Sequence, residues 1–312
     1  MLKLIIDITV CDSVERDGAG VDIKRCEAFV AAVDNGSMSG AAKQLGYTPS
    51  GIIRLINALE GELGFPVVAR RSTGVELTPE GARMLPLFRE MMRIDDQAHQ
   101  TSARIRGLAE GELTIGCLST LSSYWLPAVL REYQQRFPNV KVNVVGGSNA
   151  QQRALLDQSR IDCCLCHGPL EHYEWIGLGR QQIMVWARRG TALTRHSEVL
   201  LVELDGVPFV MTNPDDDSLF QDLMYAKGIE PDIRFTTSGW RTTYSMVEAG
   251  LGVSLCADGI AEELAGGVVA LPLSPQRYLE FGIALPPVTS PAVEEFVAIA
   301  QQFKGRWPVH PA

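Results

Sequence analysis

No stretch of the chain approaches the roughly 18 consecutive apolar residues needed to cross a bilayer. The apolar run from Leu4 to Val10 is short, is broken by Asp7 and is followed by no small-residue cleavage site. The sequence therefore predicts a cytoplasmic protein with no membrane partner. A disulfide framework is lacking too: 7 cysteines, an odd number without regular spacing, fit a reducing compartment. The 5 histidines are scattered, and there is neither a glycine-rich phosphate loop nor a nucleophile elbow. An enzyme is not expected, and neither a cofactor nor a metal ion is implied. Positive charge is also scarce, with a formal net charge of −9. That would argue against nucleic-acid binding only if charge were evenly spread. Residues 21–107 hold 11 Lys or Arg against 10 Asp or Glu, whereas residues 108–312 hold 15 against 23. A near-neutral segment still binds DNA when its cations cluster, as Arg54, Arg70 and Arg71 would.

What is present starts with the stretch Ser37 to Glu60, which reads as two short helices joined by a tight turn. Ser37 and Ser39 are candidate N-caps, and Ala41, Ala42 and Leu45 follow at helical spacing. Gly46 ends the first helix, because a residue just past a helix end often needs a positive φ. Thr48 caps the second helix with Pro49 at its first position, where the missing N–H costs nothing. Ile52, Leu55, Ile56 and Leu59 form its buried stripe. A helical hairpin alone leaves DNA binding and plain packing about equally open. The next residues decide: two short apolar runs flank Arg70-Arg71-Ser72-Thr73-Gly74, which predicts a β-hairpin wing with a basic tip.

At this point the chain resembles the N-terminal domain of LysR-type transcriptional regulators. The resemblance is carried by Phe29-Val30-Ala31-Ala32-Val33, Gly36-Ser37, Ala41-Ala42, Leu59-Glu60-Gly61-Glu62-Leu63-Gly64 and Leu77-Thr78-Pro79-Glu80-Gly81. Two sites depart from the family habit: Ile53 stands where a polar Ser is common, and Val68-Ala69 where Phe-Glu or a similar pair is common. The resemblance implies that the second helix enters the major groove. Ser37, Ser39, Thr48, Pro49, Ser50 and Arg54 would then lie near bases and phosphates, and Arg70, Arg71 and Thr73 on the wing. Residues 1–20 precede the family pattern and are expected to be a poorly ordered extension or a misassigned start.

From Thr78 to about Gly107 the pattern predicts one long helix with Met84, Leu85, Leu87, Phe88, Met91, Met92 and Ile94 as a wide apolar stripe and Pro86 as a candidate kink. In the family this is the linker helix that pairs with its copy in a second subunit. The plainer alternative is packing on its own domain.

Beyond a short hinge, strands and helices alternate, the mark of α/β architecture. Predicted strands include 113–117, 140–145, 161–166, 183–187, 208–211 and 233–236, with helices at 126–137, 151–158, 218–227 and one ending near Leu255. Leu126-Pro127, Arg136-Phe137-Pro138, Arg160-Ile161-Asp162 and Ala249-Gly250-Leu251-Gly252 resemble the family's effector-binding domain, a relative of type-2 periplasmic binding proteins. The implied architecture is an all-α winged helix-turn-helix domain (21–81), a dimerising linker helix (78–107) and a two-lobed α/β domain (112–305). Lobe I would hold 112–167 and 268–305, and lobe II 168–267. An effector would sit in the cleft between them, near Ser119, Thr120, Ser148, His167, Thr212, Ser238 and Arg241. Ser119 and Thr120 follow a strand and open a helix, a natural carboxylate site, and Trp240 with Arg241 suits an aromatic acid.

Implied partners are double-stranded DNA, a small organic acid, further copies of the chain in a dimer or tetramer, and RNA polymerase. Two other readings remain. Cys163, Cys164 and Cys166 allow a redox-sensing regulator, against which small buried thiols pack well as core residues. A solute-binding protein would explain the second half of the chain but not the helix-turn-helix.

Overall fold

The computed structural model describes residues 21–71, 74–105, 111–212, 219–258 and 266–307. The expectation for residues 1–20 lies outside the described residues. The chain forms two compact units, one ending at Met92 and the other beginning at Arg93.

The first unit holds α1 (Ile23–Asp34), α2 (Met38–Leu45), α3 (Pro49–Leu63), the antiparallel hairpin β1 (Val68–Arg71) and β2 (Gly74–Leu77), and the start of α4 (Pro79–Ile105). Gly46 ends α2 with φ +70°, so the turn into α3 uses backbone space that a side chain resists. Its core gathers Phe29, Ile52, Ile56, Leu59, Val67 and Phe88, with Phe29 and Phe88 edge to face at 5.6 Å. Each such side chain contributes on the order of 1.5–3 kcal/mol when removed from water.

Two features fix the wing to this core. The Glu60 carboxylate, near the end of α3, accepts from the backbone N–H groups of Val67 (2.8 Å) and Val68 (3.2 Å). Gly81 in the first turn of α4 lies so close to β1 that a Cβ there would stand 1.9 Å from the Val67 carbonyl oxygen. The start of α4 thus seats against the strand only because position 81 has no side chain.

The apolar stripe of α4 is narrower at the surface than its sequence suggests. Met84, Leu85, Phe88, Met91 and Met92 pack against the core of their own unit, while Leu87 (57% exposed) and Ile94 (51%) remain on the surface. The helix continues through Pro86.

In the second unit, β3 (Gly111–Cys117), β4 (Val140–Gly146) and β5 (Cys163–His167) run parallel, with α5 (Ser119–Tyr124), α6 (Leu126–Arg136) and α7 (Asn149–Asp157) as crossovers. Asp162, just before β5, ties itself to β3 twice: its carboxylate accepts from Thr114 N (2.7 Å) and its own N–H donates to Thr114 O (2.8 Å). A long strand, β6 (Glu174–Arg188), pairs with β12 (Tyr278–Leu285) along its first part and with β10 (Ser254–Ala257) and β11 (Val268–Ser274) along its second. A two-residue strand, β7 (Val199–Leu200), ends the sheet beside β11. The parallel pair β8 (Pro208–Thr212) and β9 (Asp232–Thr237), with α8 (Leu219–Tyr225) between them, joins β10 through a bridge from Phe209 to Val253. α9 (Trp240–Glu248) follows β9, and α10 (Pro291–Gln302) closes the first lobe on α6.

The lobe crossings differ from the sequence reading, which put them near His167 and Val268. β6 itself carries the first crossing at about residues 181–183, and β11 belongs with the second half of β6. The return lies on β12, where Leu279 packs with the second half of β6 and Phe281 packs with β3 and β5.

Candidate nucleic-acid interface and ligand cleft

The α2–α3 hairpin is built by local capping. Ser37 Oγ accepts from Gly40 N (3.1 Å), and Thr48 Oγ1 accepts from Gly51 N (3.1 Å) while sharing a hydrogen bond with Ser50 Oγ (3.1 Å). Two of the predicted contact hydroxyls are therefore also structural caps. Ser39 does not cap and sits exposed inside α2. Thr48, Pro49, Ser50 and Arg54 are all exposed. Ser50 and Arg54 are one turn apart on the face of α3 opposite the buried stripe. Arg54 makes no ion pair among the described residues. Three exposed groups on the same surface escaped the sequence reading: Lys43 in the last turn of α2, Tyr47 in the turn, 45% exposed, and Asn57 on α3. Tyr47 was legible in principle, since a large aromatic between Gly46 and a cap residue has no stripe to join. The side chains of Arg70 and Arg71, and all of Thr73, lie outside the described residues.

In the second unit the predicted cleft residues divide into two strand-end groups. Because β3, β4 and β5 are parallel, their carboxyl ends share one edge, where open α/β sheets bind ligands. Ser119 and Thr120 follow β3, Ser148 follows β4, and His167 ends β5. Ser148 caps α7 in a reciprocal capping box with Gln151. Asn149 joins this corner to the next strand: its side-chain amide donates to His167 O (3.2 Å) and its carbonyl oxygen accepts from His167 N (3.0 Å). The His167 ring lies 2.6 Å, Nε2 to Oε1, from Gln181, which is fully buried where β6 passes between the lobes. The Gln181 Nε2 has no hydrogen-bond partner among the described residues. Neither Asn149 nor Gln181 stood out in the sequence.

The second group lies at the ends of β8 and β9. Thr212 is not a free hydroxyl aimed at a cleft. Its Oγ1 is 2.6 Å from that of Thr243, which is 2.6 Å from that of Thr237, so a buried threonine on α9 ties both strand ends together. Ser238 and Arg241 are exposed, and the Arg241 guanidinium stacks 4.9 Å from the Trp240 ring. The two groups approach where Tyr124 of α5 meets Trp240 of α9, with centroids 5.9 Å apart. Trp307 reinforces this junction, meeting Tyr124 and Phe281 edge to face while its Nε1 donates to Asp258 Oδ1 (2.8 Å).

Cys26, Cys117, Cys163, Cys164, Cys166 and Cys256 are all buried and unbridged. Burial pushes the Cys117 and Cys163 thiols well up, and a hydrogen bond with Cys166, then burial, raises Cys164. Cys163 packs among Leu113, Ile115 and Phe296, and Cys164 and Cys166 among Leu156 and Ile161. The same hydrogen bond lowers Cys166, whose sulfur is nonetheless fully buried; a thiol that is protonated or out of a reagent's reach is a poor nucleophile.

Two family profiles match the chain. One described as "Bacterial regulatory helix-turn-helix protein, lysR family" covers residues 23–82, and one described as "LysR substrate binding domain" covers residues 106–304. Among curated proteins the chain is similar to the HTH-type transcriptional regulator YvbU of Bacillus subtilis (strain 168), 28% identical over 288 residues that span 91% of this chain and 99% of that protein. It is also similar to the HTH-type transcriptional regulator CzcR of Bacillus anthracis, 26% identical over 264 residues covering 83% and 88%. Among solved structures, a full-length OxyR variant from Pseudomonas aeruginosa superposes with a TM-score of 0.74 at 18% identity, covering 94% of this chain and 99% of that one. Full-length CbnR in complex with its target DNA gives 0.65 at 20% identity, covering 90% and 99%.

Proposed function

The chain belongs to the LysR family of transcriptional regulators, and from that premise we propose how its parts divide the work. Residues 21–81 are the DNA-binding domain. α3 is its recognition helix, with Thr48, Pro49, Ser50 and Arg54 on the major groove, Ser37 and Ser39 on the adjoining backbone, and Arg70, Arg71 and Thr73 on the wing. The observation that carries this is Arg54: exposed, one turn from Ser50, and without an ion pair among the described residues. A guanidinium so placed suits bidentate contact with guanine O6 and N7. Lys43, Tyr47 and Asn57 join the same surface.

Residues 78–107 join two copies of the chain. Leu87 and Ile94, exposed and seven residues apart on α4, supply the apolar seam of a helix pair. Residues 112–305 bind a small organic acid at the strand-end edge formed by Ser119, Thr120, Ser148 and His167. The unpartnered amide of Gln181 offers a donor beside His167, and Ser238 and Arg241 approach from the other lobe. Thr212 contributes through the threonine network rather than by direct contact. Effector binding shifts the population between two lobe arrangements, and the DNA-binding domains follow.

The effector reading is tested by thermal unfolding of the full chain with small organic acids such as benzoate. A ligand at a hundred times its Kd stabilises by about 2.7 kcal/mol. The expected result is an upward shift lost in a Thr120→Val, Ser148→Ala double variant. An acid that stabilises wild type and double variant equally would remove these residues from the site.

A further inference from the structure

The loop at 275–277, which joins β11 to β12, forms one wall of a cavity of about 410 Å3. It shares no residue with the strand-end groups described above. Leu201, Ile229 and Leu273 give it an apolar wall, of which Ile229 and Leu273 are almost wholly buried. Lys227 and Arg277 also line it. Among the described residues neither cation has an ion pair, and the described lining holds no carboxylate, so two positive charges stand beside an apolar wall.

Val202, 64% exposed, Ser274 and Pro275 complete the lining. The size lies within the range of small-molecule sites, about 300–1,000 Å3. A solvated apolar hollow is costly to keep open, and filling it with an apolar body removes that surface from water. An uncharged body would leave the two cations unused.

We propose that this cavity is a second ligand site, separate from the strand-end cleft, that takes a small amphipathic monoanion: a carboxylate set between Lys227 and Arg277, with its aliphatic or aromatic body against Leu201, Ile229 and Leu273. The site touches the crossing itself. The Arg277 carbonyl accepts from Ile183 N (2.8 Å), where β6 passes from one lobe to the other. A ligand seated here therefore bears on the same strand segment that any rearrangement of the lobes must bend, and it favours whichever arrangement holds Leu273 and Arg277 at its spacing. Nothing in the proposal depends on effector binding in the strand-end cleft.

The test is a methyl-resolved NMR titration of the full chain with octanoate and with octanol as probes. Octanoate is expected to shift the methyl signals of Leu201, Ile229 and Leu273 saturably, with octanol binding more weakly. Raising the salt should weaken octanoate but not octanol. A K227Q/R277Q double variant should lose about three- to tenfold in octanoate affinity, the range two partly exposed ion pairs supply. Val202→Glu, a change at an exposed residue that sets an anion at the cavity, should weaken octanoate further than octanol. The proposal is overturned if octanoate shifts only signals outside the cavity, if octanol binds wild type as tightly, or if the double variant keeps full affinity. An apolar docking patch for another protein would show as the octanol result.

Discussion

Replacing Glu60 with Ala isolates the anchor of the wing. The Glu60 carboxylate receives two backbone N–H groups, those of Val67 and Val68, residues 0% and 6% exposed. Without it, both donors lose their partner at the start of β1. An unsatisfied buried donor costs about 1–3 kcal/mol. Glu60 itself is half-buried, so water reaches part of the site and the lower end applies, giving about 2–3 kcal/mol for the pair. For a domain of this size each kcal/mol lowers the unfolding midpoint by roughly 4–8 °C, so the shift should be on the order of 10–20 °C. Glu60→Gln keeps a carbonyl acceptor and loses only charge assistance, and should fall between wild type and Ala.

The five tryptophans provide the control, because Trp125, Trp175, Trp186, Trp240 and Trp307 all lie in the second unit. Tryptophan fluorescence reports on that unit alone, whereas far-UV circular dichroism reports on both. The expected result is an early loss of helical signal in Glu60→Ala with the fluorescence midpoint unchanged. Equal midpoints for Ala and wild type, or fluorescence and dichroism moving together, would refute the reasoning.

Three further outcomes follow from the packing and the proposed interface. Gly81→Ala puts a Cβ 1.9 Å from the Val67 carbonyl oxygen and should destabilise the first unit by about 1–3 kcal/mol, again in the dichroism signal alone; no loss would mean that α4 does not seat so closely on β1. Mass-spectrometric mapping of iodoacetamide labelling should find Cys163, Cys164 and Cys166 unmodified in the native chain and modified after denaturation; rapid native labelling would revive the redox reading. Arg54→Ala should weaken operator binding by about 1–3 kcal/mol and relax specificity, whereas Arg71→Ala should weaken binding to all sequences more evenly; unchanged operator affinity for Arg54→Ala would remove it as a base contact.

Local chemistry was the readable part of this chain. Gly46 and the Thr48-Pro49 pair announce a turn and a helix start through groups within a few residues of one another, and the structure uses them that way. Alternating strands and helices in the second half are legible for the same reason. β6 was only half visible, because Gly177, Gly179, Arg180, Gln181 and Gln182 break the alternation that marks Ile183 to Ala187. With its first half unseen, the strand that runs from one lobe into the other was read only from Ile183 onward. The stripe on α4 shows that a helix must pack but not on what, and Phe88 turned out to meet Phe29 of its own unit. Glu60, Asn149 and Gln181 owe their roles to backbone or side-chain partners brought close by folding, and no spacing rule marks them. Thr212 was placed at the cleft by resemblance alone, yet Thr243, a residue of no evident pattern, takes up its hydroxyl.

The central claim is that α3 of this LysR-family chain reads a specific operator. The direct measurement is a fluorescence-anisotropy titration of the full chain on the DNA immediately upstream of its own gene, at two salt concentrations with non-specific competitor. Saturable binding that survives competitor, weakens as salt rises and drops in Arg54→Ala is the predicted result. Binding that competitor abolishes, or that Arg54→Ala leaves untouched, would contradict it.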